Sequence, residues 1–219
     1  MLALYGHPFS SYTQKVLIAL YENGTPFELL NLDPAEPVSH SADWLRHWPL
    51  AKFPVLVDGD RTVVESSIVI EHLQLAHPGP VQLIPADPRA ALDVRFMDRF
   101  FDLHVTAPVQ HAVNAALTGN AERKAEGVAW ATEKLEKAYA WLEGMWAGRT
   151  WAAGESFSLA DCAAAPSLFY ADWTHPIAAT YPQLCAYRAR LLARPSFARA
   201  VEGGSPYRHY FPLGAPDRD

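Results

Sequence analysis

The stretch from Lys52 to Ser67, KFPVLVDGDRTVVESS, constrains the fold more than any other part of the chain. Val55-Leu56-Val57 is apolar and rich in β-branching, Asp58-Gly59-Asp60 is a strong tight-turn signal, and Thr62-Val63-Val64 reads as a return strand. Pro54 stands at the entry of the first strand, where it removes a backbone donor and can take the cis form. A cis bond there would hold the neighbouring amide and carbonyl open for pairing with an extended ligand. Glu65-Ser66-Ser67 then leads into Ile68-Val69-Ile70, so either serine could cap a helix. An open peptide edge beside a helix N-terminus suits a small anionic peptide. The edge pairs with its backbone and the helix end attracts its carboxylate. A hairpin followed by an ordinary capped helix explains the same residues without any ligand.

Upstream, Leu2 to Tyr5 reads as a first strand, and Gly6-His7-Pro8 ends it. From Ser10 to Asn23 the positions Val16, Leu17, Leu20 and Tyr21 keep helical spacing, and Asn23-Gly24 closes the run. Phe27 to Leu32 is a second strand. A strand-helix-strand unit of this kind predicts parallel strands and a right-handed crossover. Asp33 to Leu50 is polar and proline-punctuated, with a short helix expected near Ala42 to His47. The helix after the hairpin is expected from Ser67 to about Ala76. Residues 1–78 therefore read as one α/β domain of order β-α-β, short helix, β-β-α.

Residues 79–88, dense in proline, read as a linker, and residues 89–219 as an all-helical bundle. Arg89 to Leu117 shows Leu92, Phe96, Phe100 and Leu103 on one face, with a kink expected at Pro108. Ala121 to Trp146 carries Val128, Ala131, Leu135, Ala138, Leu142 and Met145 in steps of three and four, a packing stripe. In Phe157-Ser158-Leu159-Ala160-Asp161, Ser158 can cap a helix while Asp161 reaches back to its amide. The helix that follows is apolar nearly all round, contains Pro166, and should be the buried centre of the bundle. The aromatic tail, with Tyr207, Tyr210 and Phe211, should pack back onto the molecule.

Composition narrows the functional classes. Half of the 219 residues are apolar and 19% charged, which excludes disorder. The net charge of −6, without a basic cluster, argues against nucleic acid as a partner. No apolar run is long enough to span a membrane, and Met1 to Tyr5 lacks the basic start of a signal peptide. Cys162 and Cys185 match no metal-ligand spacing, so a reducing cytoplasm is the expected setting.

Ser10 and Ser11 stand where the first strand hands over to the first helix. A serine at the positive end of a helix can donate to a ligand thiolate and lower that thiol's pKa, or it can serve as a plain N-cap. Here the pieces resemble a family. Leu4-Tyr5-Gly6-His7-Pro8-Phe9-Ser10, continuing to Lys15-Val16, is similar to the N-terminal segment of serine-type glutathione S-transferases. Phe53-Pro54-Val55, with Glu65-Ser66 eleven residues beyond Pro54, resembles their glutathione-binding element, and Phe157 to Asp161 their helical-domain capping box and hydrophobic staple. The likeness covers nearly the whole chain and implies a thioredoxin-like domain followed by an all-helical domain.

The resemblance also implies roles. Ser10, or Ser11 if the motif shifts by one, would hold the glutathione sulfur as thiolate for attack on a hydrophobic electrophile. Phe53, before a cis Pro54, would pair with the cysteinyl backbone, while Glu65 and Ser66 would hold the γ-glutamyl end. Lys52, with His40 as a further candidate, would meet the glycyl carboxylate. Phe9, Tyr12, His104, Pro108 and Tyr210 or Phe211 are the candidates for the electrophile pocket. Asp98 or Asp102 would either reach a neighbour's glutathione across the axis of a homodimer or simply face solvent. Glutathione is then a co-substrate and the chemistry requires no metal. The absence of a cysteine from the first helix argues against the omega and glutaredoxin-like relatives, and the position of Tyr5 within the strand against tyrosine-type classes. A peroxidase, dehalogenase or isomerase would use the same thiolate. A non-catalytic glutathione-binding or protein-interaction module would keep only the fold.

Overall fold

Leu4 and Tyr5, adjacent in the first strand, face opposite sides of the sheet and so divide the first domain into two apolar clusters. In the computed structural model, which describes residues 1–33, 35, 40–146 and 148–219, β1 (Leu2–Gly6) lies inside a four-stranded sheet of order β2-β1-β3-β4. It pairs in parallel with β2 (Phe27–Asn31) and antiparallel with β3 (Val55–Asp58), which in turn pairs with β4 (Arg61–Val64). Register puts Leu4 opposite Leu56 and Leu56 opposite Val63. Tyr5 lies opposite Val55 and Val55 opposite Val64. Because successive side chains alternate faces, the first set points into the main core while Tyr5 and Val55 join a smaller cluster with Leu32. The main core lies beneath α1 (Ser11–Glu22) and α3 (Ser66–Ala76). Trp44 of α2 (Ser41–His47) packs on the smaller cluster. The fold is a small thioredoxin-like mixed sheet followed by helices, as the resemblance implies.

The helix after the hairpin begins one residue earlier than the sequence suggests. Neither serine is its cap: Glu65 occupies the N-cap position with φ of 67° and Ser66 is already helical. A non-glycine residue in this region costs about 1 kcal/mol or more, so the surroundings must hold it there.

The long run after the linker is not one kinked α-helix. It comprises α4 (Pro88–Phe100), a π-helical segment (Phe101–Thr106) and α5 (Ala107–Leu117). Pro108 falls in the first turn of α5, where it cannot donate to the helical turn before it, and the wider π-helical turns accommodate the missing bond. Two apolar faces result. Val94, Met97, Phe101 and Val105 are buried, whereas the Leu92, Phe96 and Leu103 stripe is more than half exposed.

α6 (Ala121–Met145) packs along α5, and α7 (Leu159–Thr174) forms the buried centre. The Asp161 carboxylate accepts from the Ser158 amide at 2.9 Å, the Ser158 hydroxyl at 3.0 Å, the Ala152 amide at 2.8 Å and Tyr187 at 2.6 Å. The expected cap is thus the hub of a larger network. α8 (Pro182–Leu192), α9 (Pro195–Gly204) and a 3₁₀ turn (Ser205–Tyr210) return the chain to the first domain. There Tyr207 accepts from Asn31 at 3.1 Å and Tyr210 donates to Asp33 at 2.9 Å, so the aromatic tail packs back as expected.

Candidate functional site

The site is assembled at the C-terminal end of β1, where α1 begins. Ser10 is the N-cap of α1, and its Oγ accepts from the Thr13 amide at 3.3 Å. A hydroxyl used as an acceptor in this way keeps its own proton to donate outward. Ser11 is the first helical residue. The preceding turn is held from below: Tyr170 of α7 donates to the Phe9 carbonyl at 2.7 Å, and Gln14 donates to the Pro8 carbonyl at 3.0 Å and to Tyr170 at 3.2 Å. Gly204 packs against the same turn, where a Cβ would lie 3.1 Å from the Pro8 carbonyl oxygen. His7 is buried and accepts from the Phe9 amide at Nδ1. Burial lowers its pKa and favours the neutral ring.

Three clefts meet around Phe53. A polar groove of about 280 Å³ is lined by Lys52, Phe53, Pro54, Glu65, Ser66, Tyr12, Arg99 and Asp102. The Phe53–Pro54 bond is cis, and among the described residues none hydrogen-bonds the Phe53 backbone. Ser66 is buried at the start of α3, so the unpaired amides of that first turn face the groove. Tyr12 lines this groove rather than the apolar one. Burial, with Asp102 nearby, pushes its phenol up to about 12, so it acts only as a neutral group.

The second cleft, of about 210 Å³, is apolar. Phe9, Ser10, Ser11, Phe53, Val109, Val113, Pro166, Tyr170 and Phe211 line it. Ser10 and Phe53 also border a third cleft with Trp44, Asp33 and Tyr210. His104 and Pro108 line neither. They sit with Phe100, Trp130 and Trp141 in a separate groove on the outer side of the helical domain, because the π-helical segment turns them away from Ser10. His40 opens α2 and is not among the described residues lining the polar groove.

Asp98 and Asp102 turn inward instead of across an axis. Lys15, 1% exposed, sits 2.6 Å from Asp98 and 2.9 Å from Asp102. Ser67 accepts from Lys15 at 2.9 Å and donates to Asp98 at 2.7 Å. Burial raises the Asp102 pKa, the Lys15 charge offsets part of that, and Asp98 adds to it. This network locks α1, which carries Ser10, to α3, which carries Ser66. The sequence alone did not single out Tyr170, Gln14, Arg99 or this role of Lys15. A lysine within the apolar run of the first helix is the signal that could have found one of them.

The chain matches the glutathione S-transferase N-terminal domain over residues 4–81 and the glutathione S-transferase C-terminal domain over residues 96–195. It is 30% identical to glutathione S-transferase 3 of Zea mays, over 91% of this chain and 93% of that protein. The chain belongs to the glutathione S-transferase family. A further relative, a probable maleylacetoacetate isomerase of Vibrio cholerae, is 30% identical over 94% of this chain and 97% of its own. Among solved structures, a glutathione S-transferase from Methylobacterium radiotolerans in complex with glutathione sulfonate is 34% identical, with a TM-score of 0.76 over 91% of this chain and 94% of that one. Family membership supports glutathione binding and glutathione-dependent chemistry in general. No helix among the described residues is long and apolar enough to cross a membrane.

Proposed function

We propose that this family member conjugates glutathione to a small hydrophobic electrophile, with Ser10 holding the sulfur as thiolate. The observation that carries this reading is the position of Ser10, an N-cap hydroxyl bordering the apolar cleft, which Phe53 joins to the polar groove. The groove fits an anionic tripeptide. Phe53 offers its open backbone to the cysteinyl unit, Glu65 pairs with the γ-glutamyl amine, and Ser66 with its helix end takes the α-carboxylate. Lys52 meets the glycyl carboxylate, and Arg99 borders the same groove. The hydrogen bond from Ser10, at the positive end of α1, favours the charged form of the thiol and so lowers its pKa. Nearby Phe9, Val109, Val113, Tyr170 and Phe211 desolvate an apolar co-substrate and hold it close to the sulfur.

The exposed stripe of Leu92, Phe96 and Leu103, with Trp130 and Trp141 beside it, is the surface we assign to a homodimer contact. A cytoplasmic setting fits a reaction that consumes reduced glutathione.

The test compares wild type, Ser10→Ala and Ser11→Ala in conjugation of glutathione to an aryl halide, with the thiolate followed by its ultraviolet absorption. Ser10→Ala should lose about 10²-fold in rate and return the bound thiol toward its free pKa. Wild-type protein that binds glutathione without ionising it would overturn the enzyme reading. The likeness to the Vibrio cholerae isomerase favours one second reading, cis-trans isomerisation through the same thiolate. In that case a cis-configured unsaturated diacid is converted while glutathione is recovered unchanged.

A further inference from the structure

At the other end of α3 from Ser66, three side chains unrelated to glutathione converge on one point. Asp58 ends β3 at the hairpin turn, His72 lies on α3, and His77 is the residue that terminates that helix. Both imidazoles direct Nε2 at the same carboxylate oxygen, Asp58 Oδ2, at 2.9 Å for His72 and 2.7 Å for His77. The donor atoms of all three lie within 4.8 Å of one another, and all three residues are half-buried. The rings stand edge to face with centroids 6.2 Å apart, so neither blocks the other's nitrogen. The backbone fixes this arrangement from both sides: Asp58 is paired in register with Arg61, and the His77 amide donates to the Leu73 carbonyl at 2.8 Å.

We propose that Asp58, His72 and His77 form a binding site for a divalent transition-metal ion such as Zn²⁺ or Co²⁺. Two imidazole nitrogens and one carboxylate oxygen are the donor set that such ions prefer, whereas Mg²⁺ and Ca²⁺ select oxygen ligands. Tetrahedral ligands about 2.0–2.2 Å from zinc lie roughly 3.3 Å apart. The observed separations of 2.7 and 2.9 Å therefore need to open by only about half an ångström, within the reach of side-chain rotation. In the bound form each imidazole carries its proton on Nδ1 and presents the Nε2 lone pair to the ion. The carboxylate supplies the third bond, and water completes the coordination.

The consequence is mechanical. α3 spans about 15 Å from Ser66 to the His77 end, so the ion takes no part in the glutathione groove. It ties the β3–β4 turn to the C-terminus of the helix whose N-terminus forms that groove. It also secures the start of the crossing to the helical domain, where Val81 donates to Asn23 at 2.8 Å.

The experiment uses the full chain stripped with chelator and dialysed. Co²⁺ is titrated while the visible d–d band is recorded, and Zn²⁺ binding is measured by calorimetry. Wild type should take one ion per chain with a band typical of a four- or five-coordinate N/O site, and zinc should raise its Tm. Asp58→Asn and His77→Gln should each weaken binding by about 100-fold or more, and His72→Gln/His77→Gln should abolish the band. Circular dichroism and glutathione affinity should remain those of wild type in every variant, which separates this site from the glutathione groove. Absence of a stoichiometric ion in wild type, or an unchanged band in the double histidine variant, would overturn the proposal.

Discussion

Replacing Lys15 by Met tests whether the two helices that carry Ser10 and Ser66 are coupled through the domain interior. Methionine fills a similar volume but removes the positive charge that lies between two nearly buried carboxylates. Breaking a buried ion pair in this one-sided way costs about 3–5 kcal/mol, because the partner charges stay behind. At roughly 2–4 °C per kcal/mol for a chain of this size, Tm should fall by about 6–20 °C. The sign of the pH dependence is a sharper test. The Asp102 pKa is raised in the folded protein, so its contribution is fully present below the ordinary carboxylate range and is lost as pH rises through the folded value. Without Lys15 the folded value climbs further, since the largest opposing influence has gone. The deficit of Lys15→Met relative to wild type should therefore grow as pH rises above the ordinary carboxylate range, read by denaturant unfolding at each pH. Adding Asp98→Asn and Asp102→Asn to Lys15→Met should recover most of the loss, because the stranded charges are removed. A deficit below about 1 kcal/mol, or one that does not change with pH, would refute the reasoning.

Local contacts elsewhere in the site and its supports set three more expected outcomes. Glu65→Gly should leave Tm unchanged or slightly higher, since glycine tolerates the positive φ, while the KM for glutathione rises about tenfold or more through loss of a charged partner. A coupled loss of both would show that the carboxylate serves the fold. Tyr170→Phe removes the hydrogen bond to the Phe9 carbonyl and should cost about 1 kcal/mol, with a fall in kcat/KM measured at a temperature where both proteins are folded. Asp161→Asn replaces an acceptor of four hydrogen bonds with a group that can accept at only one oxygen. It should lower stability by about 3 kcal/mol in thermal or urea unfolding.

Much of the first domain was legible because its signals are local. The turn at Asp58-Gly59-Asp60, the alternation of the strands and the placing of Pro54 each act within a few residues, and the observed register follows from them. Residues of the candidate site and its supports drawn together by distant packing were not. Nothing near Lys15 in sequence announces two carboxylates more than eighty positions away, and Tyr170 reaches the Phe9 turn across the domain boundary. Spacing placed Leu92, Phe96, Phe100 and Leu103 on one helical face, but periodicity alone does not say whether such a face meets the core or the outside. Glu65 misled the cap assignment because its positive φ breaks a local preference, and such breaks concentrate where tertiary structure imposes a geometry.

The π-helical segment from Phe101 to Thr106 has a consequence for how this cleft can diversify. Within it the Ala107 amide bonds the Asp102 carbonyl, five residues back instead of four. Removing one residue there would let the backbone close into ordinary α-helix with everything downstream kept in register, because the wider turn is what accommodates the extra residue. Val109 and Val113 would keep their places beside Ser10 in the apolar cleft, and the change would be confined to the side chains of the segment itself. A single-codon deletion could thus straighten the helix while sparing the α5 wall of the apolar cleft, and its effect would fall on Asp102 and Leu103, where the segment borders the polar groove.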